Sequence, residues 1–529
     1  MRKTCFFAIV LTAVCSLLVS CGTSAINSIS GSGSGGSGGS GSGSGTPAAS
    51  VPVSISMTDD PPAGVSVLFF QISLTDASLI PSSSSGSAVS LLPNSTPIQI
   101  DVTKLQALAA FLSTASAPAG TTYSSLSLTF ANPQLVILNN SDTSLGSSCA
   151  VGSVCQLTPA IDSSATVTFT SAPFPVTISQ GSPLGFLVDF HLNTIIQSDL
   201  SVNLGVSNGI TLAQLPSTPA VPPAAPPFGF LTGTVETVNT SQDRFTLQTS
   251  WGKTFTVDID SNTAVAPALP CPSPGFIACL HTGDTVQVQV ASVESDGDLL
   301  AASVTLLLSN SSNRQLVEGT VVGYSATQIK LLIHGAFASP AALPVGGIAT
   351  VTLDQGAAFS VDSGSFTIPS GLVFSGVDNL WNGQELQVAV DSGSLSCASP
   401  QIVVNGWGPP SYCTFSTNAV QLEPSQITGN IASISSPSFT LDYEWSPCTP
   451  PGGGAPVCNV VGMIQYGVET TSQTTYQGFT PDSFSGLATN DFVSVNGWIF
   501  EADNGLLDPA LAPPVILAQT VTNHPAAAF

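Results

Sequence analysis

The sequence predicts an all-β protein: an N-terminal immunoglobulin- or carbohydrate-binding-like β-sandwich, followed by three small OB- or SH3-like β-barrel repeats. Three observations lead to this prediction. Short apolar or alternating runs recur between Gly, Pro and Ser turns, as is typical of strands. Helical periodicity is scarce, and the one candidate helix covers 102–115. Behind a Pro-rich stretch, three segments open with similar sequences, which indicates a tandem repeat.

The N-terminus has the pattern of a bacterial lipoprotein signal. Two basic residues precede an apolar run over 5–20. As a helix this run spans about 24 Å, less than the ~30 Å of a hydrocarbon core, so we interpret 1–20 as a signal peptide. The run ends in "LVSC", which resembles a lipobox and predicts lipidation of Cys21. An ordinary signal peptide with an incidental cysteine is the alternative.

A Gly/Ser-rich tether follows over 21–50 and is expected to be a flexible coil. Gly22 stands where an Asp would favour retention in the inner membrane. We therefore expect an exported outer-membrane lipoprotein, on the periplasmic side or at the cell surface, whose partner is the membrane through its lipid anchor.

The composition excludes one class of function. The chain has 529 residues, 7% of them charged, with a net charge of −24. Without the two basic residues of the signal, five Lys and Arg remain, and they are scattered. Nucleic-acid binding needs clustered basic residues, so nucleic acid is excluded as a partner. The pI of about 4.1 leads to the hypothesis that the protein faces an acidic exterior.

Eight further cysteines fall into neighbouring couples, which predicts four disulfides in an oxidising compartment. The couples are Cys149 with Cys155, Cys271 with Cys279, Cys397 with Cys413, and Cys448 with Cys458. Zinc ligation is the alternative, and its one local support is His281 beside Cys279. Cys21 has no neighbouring partner, in agreement with its lipidation.

The predicted sandwich covers 51–212 and contains four blocks in a recognisable order. They are "MTDDPPAG" (57–64), "IDVTKLQALAAFL" (100–112), "PAGTTYSSLSLTF" (118–130) and "FLVDFHL" (186–192). These blocks resemble the bacterial family called domain of unknown function 4382. The resemblance implies an immunoglobulin- or carbohydrate-binding-type sandwich on an exported protein, and it implies no activity.

A Pro-rich linker over 213–229, expected to be stiff, precedes the three barrels. The repeats are placed at 230–310, 314–424 and 426–529, and their opening strands carry Gly233, Gly319 and Gly429. Each repeat reads as a hairpin, a third strand, a turn and two more strands, which suits a small closed barrel. The repeats resemble tandem copies of domain of unknown function 5666, with the first repeat most similar.

The sequence offers little for catalysis or metal binding, so we predict no enzyme and no cofactor. His191, His281, His334 and His524 neighbour no nucleophile motif, and His191 reads as a plain strand residue. The segment "ESDGDLL" (294–300) could hold calcium through Asp296 and Asp298, but it reads first as a hairpin turn.

Aromatic residues in the disulfide loops are the better functional candidates. They are Trp407 and Tyr412 in one loop, and Tyr443 and Trp445 just before another. Flat rings on pinned loops suit the recognition of sugars, although the same rings could simply cover the barrel ends. Trp251, Trp381 and Trp498 read as core residues.

The sequence thus favours a lipid-anchored, non-catalytic binding or adhesion module whose ligand is a carbohydrate or a cell-surface protein. The first alternative is a structural envelope scaffold or stalk without a small-molecule ligand. The second is an uncharacterised hydrolase.

Overall fold

The computed structural model divides the chain into two units, Met1–Pro47 and Ala48–Phe529. The described residues lie between 50 and 523, in the second unit. Within that span the structure does not describe 61–66, 93–95, 106–108, 140–143, 145–148, 151–152, 162–164, 198–199, 216–227, 267–275, 310–314, 338–342, 364–365, 392, 399–406, 409–411, 445–447, 450–456, 459–462 and 502–513. The predicted signal peptide, Cys21, most of the tether and most of the Pro-rich linker therefore lie outside the described residues.

Eleven strands of the described chain form two facing sheets at the N-terminal end. They are β1 (Ser50–Asp60), β2 (Val67–Pro81), β3 (Val89–Ser90), β4 (Ile98–Asp101), β5 (Ala110–Pro118), β6 (Thr122–Leu138), β7 (Val154–Leu157), β8 (Thr166–Phe169), β9 (Val176–Thr177), β10 (Leu184–His191) and β11 (Ile210–Leu215). A 3₁₀ turn (Val102–Leu105) follows β4, and a short helix α1 (Leu192–Ile195) follows β10. One sheet has the order β11-β10-β1-β5, and the other contains β7-β6-β2-β3 with β4, β8 and β9 alongside.

The two sheets bury a common core, which confirms the predicted sandwich. Phe130 of β6 and Phe190 of β10 are fully buried, and their rings meet edge to face at 5.5 Å across the two sheets. The same core receives Ile55 and Met57 from β1 and Phe70 from β2. Burial of apolar side chains from both inner faces is what holds such a sandwich together.

The predicted helix over 102–115 is wrong. The chain makes one 3₁₀ turn at Val102–Leu105 and then enters strand β5, which pairs antiparallel with β1. This pairing satisfies the backbone hydrogen bonds of β5, and it buries Phe111 and Leu112 on the two faces of the sheet. Tertiary pairing outweighs the helix propensity of the segment, because propensity contributes only a fraction of a kcal/mol per residue.

The remaining strands build three barrels. The first contains β12 (Phe230–Asn239), β13 (Arg244–Gln248), β14 (Thr254–Asp258), β15 (Ala264–Ala266), β16 (Thr285–Val293) and β17 (Leu299–Leu308). The second contains β18 (Gln315–Ser325), β19 (Gln328–Phe337), β20 (Ile348–Val361), β21 (Glu385–Val390), β22 (Ser396–Cys397) and β24 (Tyr412–Glu423), whereas β23 (Trp407–Gly408), between β22 and β24 in the chain, pairs with β7 of the sandwich. The third contains β25 (Ser425–Ser435), β26 (Ser438–Glu444), β29 (Met463–Glu469), β30 (Thr475–Gln477), β31 (Phe492–Phe500) and β32 (Val515–Asn523), whereas β27 (Cys448–Thr449) and β28 (Val457–Cys458) form a separate two-stranded ladder.

Each barrel closes through five principal strands in the same order. In the first barrel the order is β12-β13-β14-β17-β16 and back to β12, with β14 and β17 parallel. The second closes as β18-β19-β20-β24-β21, and the third as β25-β26-β29-β32-β31. The order first-second-third-fifth-fourth is that of the OB fold, which decides between the OB and SH3 alternatives. A 3₁₀ turn precedes the fourth principal strand in each barrel: Phe276–Cys279, Val377–Asn379 and Phe484–Gly486.

The opening strand of every barrel carries a glycine that touches the next strand. A Cβ on Gly233 would lie 2.4 Å from the carbonyl oxygen of Gln248. The corresponding distances are 2.2 Å for both Gly319 and Gly429. A residue with a side chain would push the two strands apart, so the repeated glycine is a requirement of closure.

The same turn enters the fourth principal strand in all three barrels. A side-chain oxygen of Asp284, Gln384 or Asp491 accepts the main-chain N–H three residues earlier, at 2.7 Å in each case. The carbonyl of each of these residues also accepts a main-chain N–H from the opening strand. The second and third repeats therefore share local chemistry with the first as well as its topology.

The sandwich and the barrels are physically connected. Trp498 of the third barrel is 1% exposed, packs into the core of the second barrel, and donates to the carbonyl of Asp362 at 2.8 Å. Trp251 and Trp381, also expected in the core, are partly buried: Trp251 packs against the cores of the sandwich and the first barrel, and Trp381 packs against the core of the third barrel. A hydrophobic cluster joins Phe69 of the sandwich to Leu332 and Ile348 of the second barrel. In the described part of the chain, no helix is long and apolar enough to cross a membrane.

We predict that Gly319→Ala lowers the free energy of unfolding by about 1–3 kcal/mol, because the new methyl group collides with a backbone carbonyl. Gly323→Ala on the same strand is the matched control. Its nearest heavy atom would be the Lys330 Cδ at 3.6 Å, so the expected change is within about 0.5 kcal/mol. Urea unfolding of both variants measures the difference, and equal effects would refute the closure requirement.

Candidate functional site

The predicted aromatic platform is divided among different elements. Tyr412 begins β24 with 44% of its surface exposed. The backbone of Trp407 lies in β23 and pairs with Leu157, on the edge of the sandwich. Tyr443 lies in β26 of the third barrel, and Trp445 is outside the described residues. Tyr412 is the one member of the set whose side chain the structure describes.

Disulfides are the next predicted feature, and one of them adjoins Tyr412. Cys397 and Cys413 are bonded, as are Cys149 and Cys155, which confirms two of the four predicted pairs. The remaining couples are described in part: Cys279 is disulfide-bonded while Cys271 lies outside the described residues, and Cys448 faces Cys458 in a two-residue ladder. Because Tyr412 directly precedes Cys413, the disulfide fixes the backbone from which this exposed ring projects.

The metal alternatives gain no support. Since Cys279 is in a disulfide, its thiolate is not free to bind zinc, and the His281 side chain is 73% exposed. Asp296 and Asp298 lie in the predicted hairpin turn, where a carboxylate oxygen of Asp298 is 3.2 Å from a guanidinium nitrogen of Arg244. Among the residues that the structure describes, no group of three or more His, Cys, Asp or Glu side chains is arranged to hold a metal ion.

A small, mostly apolar depression lies on the third barrel. Its volume is about 180 Å³, and serine and threonine residues of β25 and β26 lie along one side. Ser433 and Thr440 share a hydrogen bond of 2.7 Å there, while Phe439 and Val515 supply apolar surface and Glu469 supplies a carboxylate. Hydroxyls beside apolar atoms suit a small polar ligand such as a sugar.

A dense group of ionisable side chains lies where the sandwich meets the second barrel. We call it the junction network, and its members are Asp101, Lys104, Glu318, Thr320, His334 and Glu385. Two of the members come from the sandwich and four from the barrel. The ring of Phe69 covers one side, with its centroid 5.6 Å from that of His334.

His334 is the centre of the junction network. Its Nδ1 is 2.6 Å from the Asp101 Oδ2, and its Nε2 is 2.7 Å from the Thr320 Oγ1. Thr320 donates its hydroxyl proton to Glu385, and the Lys104 ammonium bonds the other oxygen of that carboxylate. The side chain of His334 is 5% exposed and that of Asp101 is 12% exposed, so both side chains are largely withdrawn from water.

The third barrel is attached to the same group. The Gln426 side chain donates to the carbonyl of Lys104 at 2.7 Å. The Ser425 hydroxyl accepts the main-chain N–H of Glu385 at 2.9 Å. Residues from three domains therefore meet at one polar centre.

Burial and neighbouring charges shift the pKa values of these groups in opposite directions. Burial raises the pKa of Glu318, and attraction to Lys104 offsets only part of this effect. Burial alone would also raise the pKa of Glu385, but attraction to Lys104 and His334 outweighs it and the pKa is lowered. Behind them, burial raises the pKa of Glu423 well above its usual value, with repulsion from Asp362 adding to the rise.

Thr320, His334 and Asp101 stand in the order of hydroxyl, imidazole and carboxylate that serine hydrolases use. The surroundings of the hydroxyl differ from those in a hydrolase, however. The Thr320 hydroxyl also bonds Glu385, so two groups compete for its single proton. This geometry suits a structural ion pair better than an activated nucleophile.

Comparison with protein families assigns the two N-terminal domains. The model of the family described as Domain of unknown function (DUF4382) matches residues 50–210. This match covers the sandwich. The model described as Domain of unknown function (DUF5666) matches residues 232–305, which form the first barrel. No curated protein matches the chain.

The second and third barrels lie outside both family matches, yet they have the strand order of the DUF5666 domain. The junction network joins the DUF4382 domain to the second barrel. Sequence reasoning missed this network because its contacts join residues 233 and 281 positions apart. One signal was present: the chain has only seven Lys and Arg and four His, and one of each lies here.

We predict that Lys104→Met destabilises the chain by ~3 kcal/mol, because Glu385 is left buried without its cation. This value lies at the lower end of the destabilisation usually caused by removing one partner of a buried ion pair, because the Lys104 side chain is 33% exposed. Lys330→Met is the matched control: it removes an exposed lysine of the second barrel, which also carries Glu385, and is expected to change stability by less than about 0.5 kcal/mol.

Adding Glu385→Gln to Lys104→Met is expected to restore part of the loss, since residue 385 then no longer carries a buried carboxylate without its cation. Urea unfolding measures the free energy of unfolding of the wild type, of Lys104→Met, of Lys330→Met and of the double variant. A Lys104→Met variant as stable as Lys330→Met would contradict the importance of the pair.

Proposed function

We propose that this protein is a lipid-anchored cell-envelope protein that acts as a non-catalytic binding or adhesion module for a polysaccharide or a cell-surface protein. The proposed export and lipidation rest on the N-terminal sequence, where a signal-like run ends in Cys21 before a Gly/Ser tether. Lipid at Cys21 would hold the folded domains at a membrane, and the tether would let them reach their ligand.

Tyr412 is the observation that carries the binding proposal. An exposed aromatic ring on a rigid backbone offers a large contact area at a low cost in conformational entropy. Tyr412 meets this description because it is 44% exposed and adjoins the Cys397–Cys413 disulfide. The small depression on the third barrel is a second surface suited to a sugar.

A structural scaffold is the second candidate, and the coupling between domains favours it. The junction network, the Trp498 contact and the pairing of β23 with β7 all tie domains together. Such coupling suits a part that transmits or withstands force. It suits equally a binding module that must present its ligand surface in a fixed orientation.

We further propose that the chain is not an enzyme. The hydroxyl–imidazole–carboxylate set at the junction is withdrawn from water, and its hydroxyl also bonds Glu385. A hydrolase needs the opposite arrangement, with a hydroxyl that a base can deprotonate beside bound substrate.

Lipidation is tested by Cys21→Ser. In cells given an alkyne-labelled palmitate, we expect the wild type to be labelled and to sediment with membranes. The variant is expected to lose both properties, because the lipobox thiol is the acceptor. Cys15→Ser, within the predicted signal peptide, is the matched control and should keep the label. Label retained in Cys21→Ser would refute the anchor.

Ligand binding is tested on an array of bacterial and plant polysaccharides. For any glycan that binds, Tyr412→Ala is expected to weaken binding at least about tenfold, as loss of an interface anchor does. Tyr324→Ala is the control, since that tyrosine is 45% exposed on the same barrel but away from the disulfide. Equal losses in both variants, or binding to no glycan, would favour the scaffold instead.

A further inference from the structure

The second barrel differs from the other two at one position of its first hairpin. In the first and third barrels, the residue four places after the opening glycine and its partner on the next strand are hydroxyl residues that bond each other. The two pairs are Thr237 with Thr246 at 2.8 Å and Ser433 with Thr440 at 2.7 Å. The second barrel has Gly323 opposite Lys330 at the same place, directly after the same shift in register. A lysine thus replaces one hydroxyl, and nothing replaces the other.

The ammonium of Lys330 is an unpaired positive charge. Its side chain is exposed, and within the described part of the chain it makes no ion pair. The other Lys and Arg side chains that the structure describes are engaged: Lys104 and Arg244 bond carboxylates, and Lys253 bonds a main-chain carbonyl. In a chain with a net charge of −24, a free ammonium at the surface points to an anionic ligand.

Gly323 supports the stem of Lys330. A Cβ on Gly323 would lie 3.6 Å from the Cδ of Lys330 and 3.8 Å from its Cβ, so the lysine stem lies along the bare backbone of the opening strand. Lysines commonly pack their methylene groups on a surface while the ammonium stays in water. A stem that is already supported loses less conformational freedom when its ammonium binds a ligand.

Hydroxyls and an aromatic ring lie on the same face as Lys330. Lys330 pairs with Thr350 on β20, and Thr350 pairs with Thr414 on β24. Their neighbours in the chain lie in the barrel core, so these three side chains form one row on the outside of the barrel. Tyr412 is two residues before Thr414 and therefore shares this face. From the usual spacing of strands, the Cα atoms of Tyr412 and Lys330 are about 12 Å apart.

The sandwich borders this face on the side of Tyr412. Ile348 pairs with Tyr412 and packs in a cluster with Phe69 of the sandwich. On the other side of the row, the Asp391 carboxylate accepts a hydrogen bond of 2.8 Å from the hydroxyl of Ser416. The face therefore adjoins a domain contact, a common place for ligand sites, and its nearest bonded carboxylate lies away from the line between the ring and the ammonium.

We propose that this face of the second barrel binds an acidic polysaccharide, with the Tyr412 ring against one sugar unit and the Lys330 ammonium paired with the anionic group of a nearby unit. The inference rests on the proposed binding function and narrows its ligand to sugars that carry a negative charge. Thr350 and Thr414 lie between the two anchors and hydrogen-bond the sugar hydroxyls. A lysine is a single point charge with three donors, which suits a carboxylate or a sulfate ester.

The negative charge of the rest of the chain makes the site selective. An acidic polymer is repelled by carboxylates elsewhere on the surface, so its binding is confined to the place where a free cation and an aromatic ring occur together. A neutral polymer of the same backbone lacks the contact with Lys330 and binds through the ring and the hydroxyls alone.

The ligand class is tested by calorimetric titration of the full chain at low ionic strength. The probes are polygalacturonate and alginate, each beside its methyl ester, and dextran sulfate beside dextran. We expect at least one acidic polymer to bind about fivefold more tightly than its neutral counterpart, the factor at the upper end for an exposed ion pair. The carboxylate and sulfate probes show which anion the site prefers.

Variants locate the charge contact. Lys330→Met is expected to abolish the preference for the acidic polymer, and Lys330→Arg to keep most of it. Tyr412→Ala should weaken the acidic and the neutral polymer alike. In the control, Thr240→Lys is added to Lys330→Met, which restores the net charge at an exposed position of the first barrel. This double variant should not regain the preference; regaining it would show a net-charge effect and refute the site.

The outcomes separate this inference from the proposed function. Equal binding of acidic and neutral polymers, weakened in both by Tyr412→Ala, would overturn the acidic ligand and leave the binding function standing. A preference for the acidic polymer that persists in Lys330→Met would also overturn the site. Binding of neither kind of polymer would overturn both proposals. Urea unfolding of each variant excludes loss of fold as the cause of a change.

Discussion

The closure of each five-stranded barrel by main-chain hydrogen bonds is the constraint on which the rest of the structure depends. A five-stranded sheet has no free edge only if its opening strand pairs on both sides, and here that happens three times with the same strand order. The close approach of the first two strands leaves no room for a Cβ at Gly233, Gly319 or Gly429. With few charged residues to form surface ion pairs, the chain draws its stability from backbone pairing and from alternating apolar side chains.

Two of the few basic side chains of this protein lie where domains meet. Lys104 and His334 lie between the sandwich and the second barrel, in surroundings where unpaired charge is costly. Their carboxylate partners come from the opposite domain, so each domain completes the electrostatics of the other. Buried ion pairs of this kind contribute little net stability but strongly penalise wrong arrangements. They therefore define the docking geometry, while Phe69 and Trp498 supply the hydrophobic contact.

Much of the fold could be predicted because its signals are local. Alternation, turn residues and the spaced glycines indicated strands and a repeat, and neighbouring cysteines indicated the pairs Cys149–Cys155 and Cys397–Cys413. The segment 102–115 was mispredicted because its strand character comes from pairing with β1, a partner that local propensity does not register. The junction network is less predictable still. Nothing near Asp101 in the sequence points to His334, since only the docked domains bring them together.

The outer sheet of the sandwich ends in very short strands on both sides. Val89–Ser90 is one edge strand, and Trp407–Gly408, from a segment that connects two strands of the second barrel, is the other. A long open margin would offer a template for strands of neighbouring molecules, and proteins often guard such margins with lysines. This chain is 7% charged and has few lysines to spare. Short edge strands, one of them supplied by a loop of the same chain, reduce the risk that neighbouring molecules pair through these edges and aggregate.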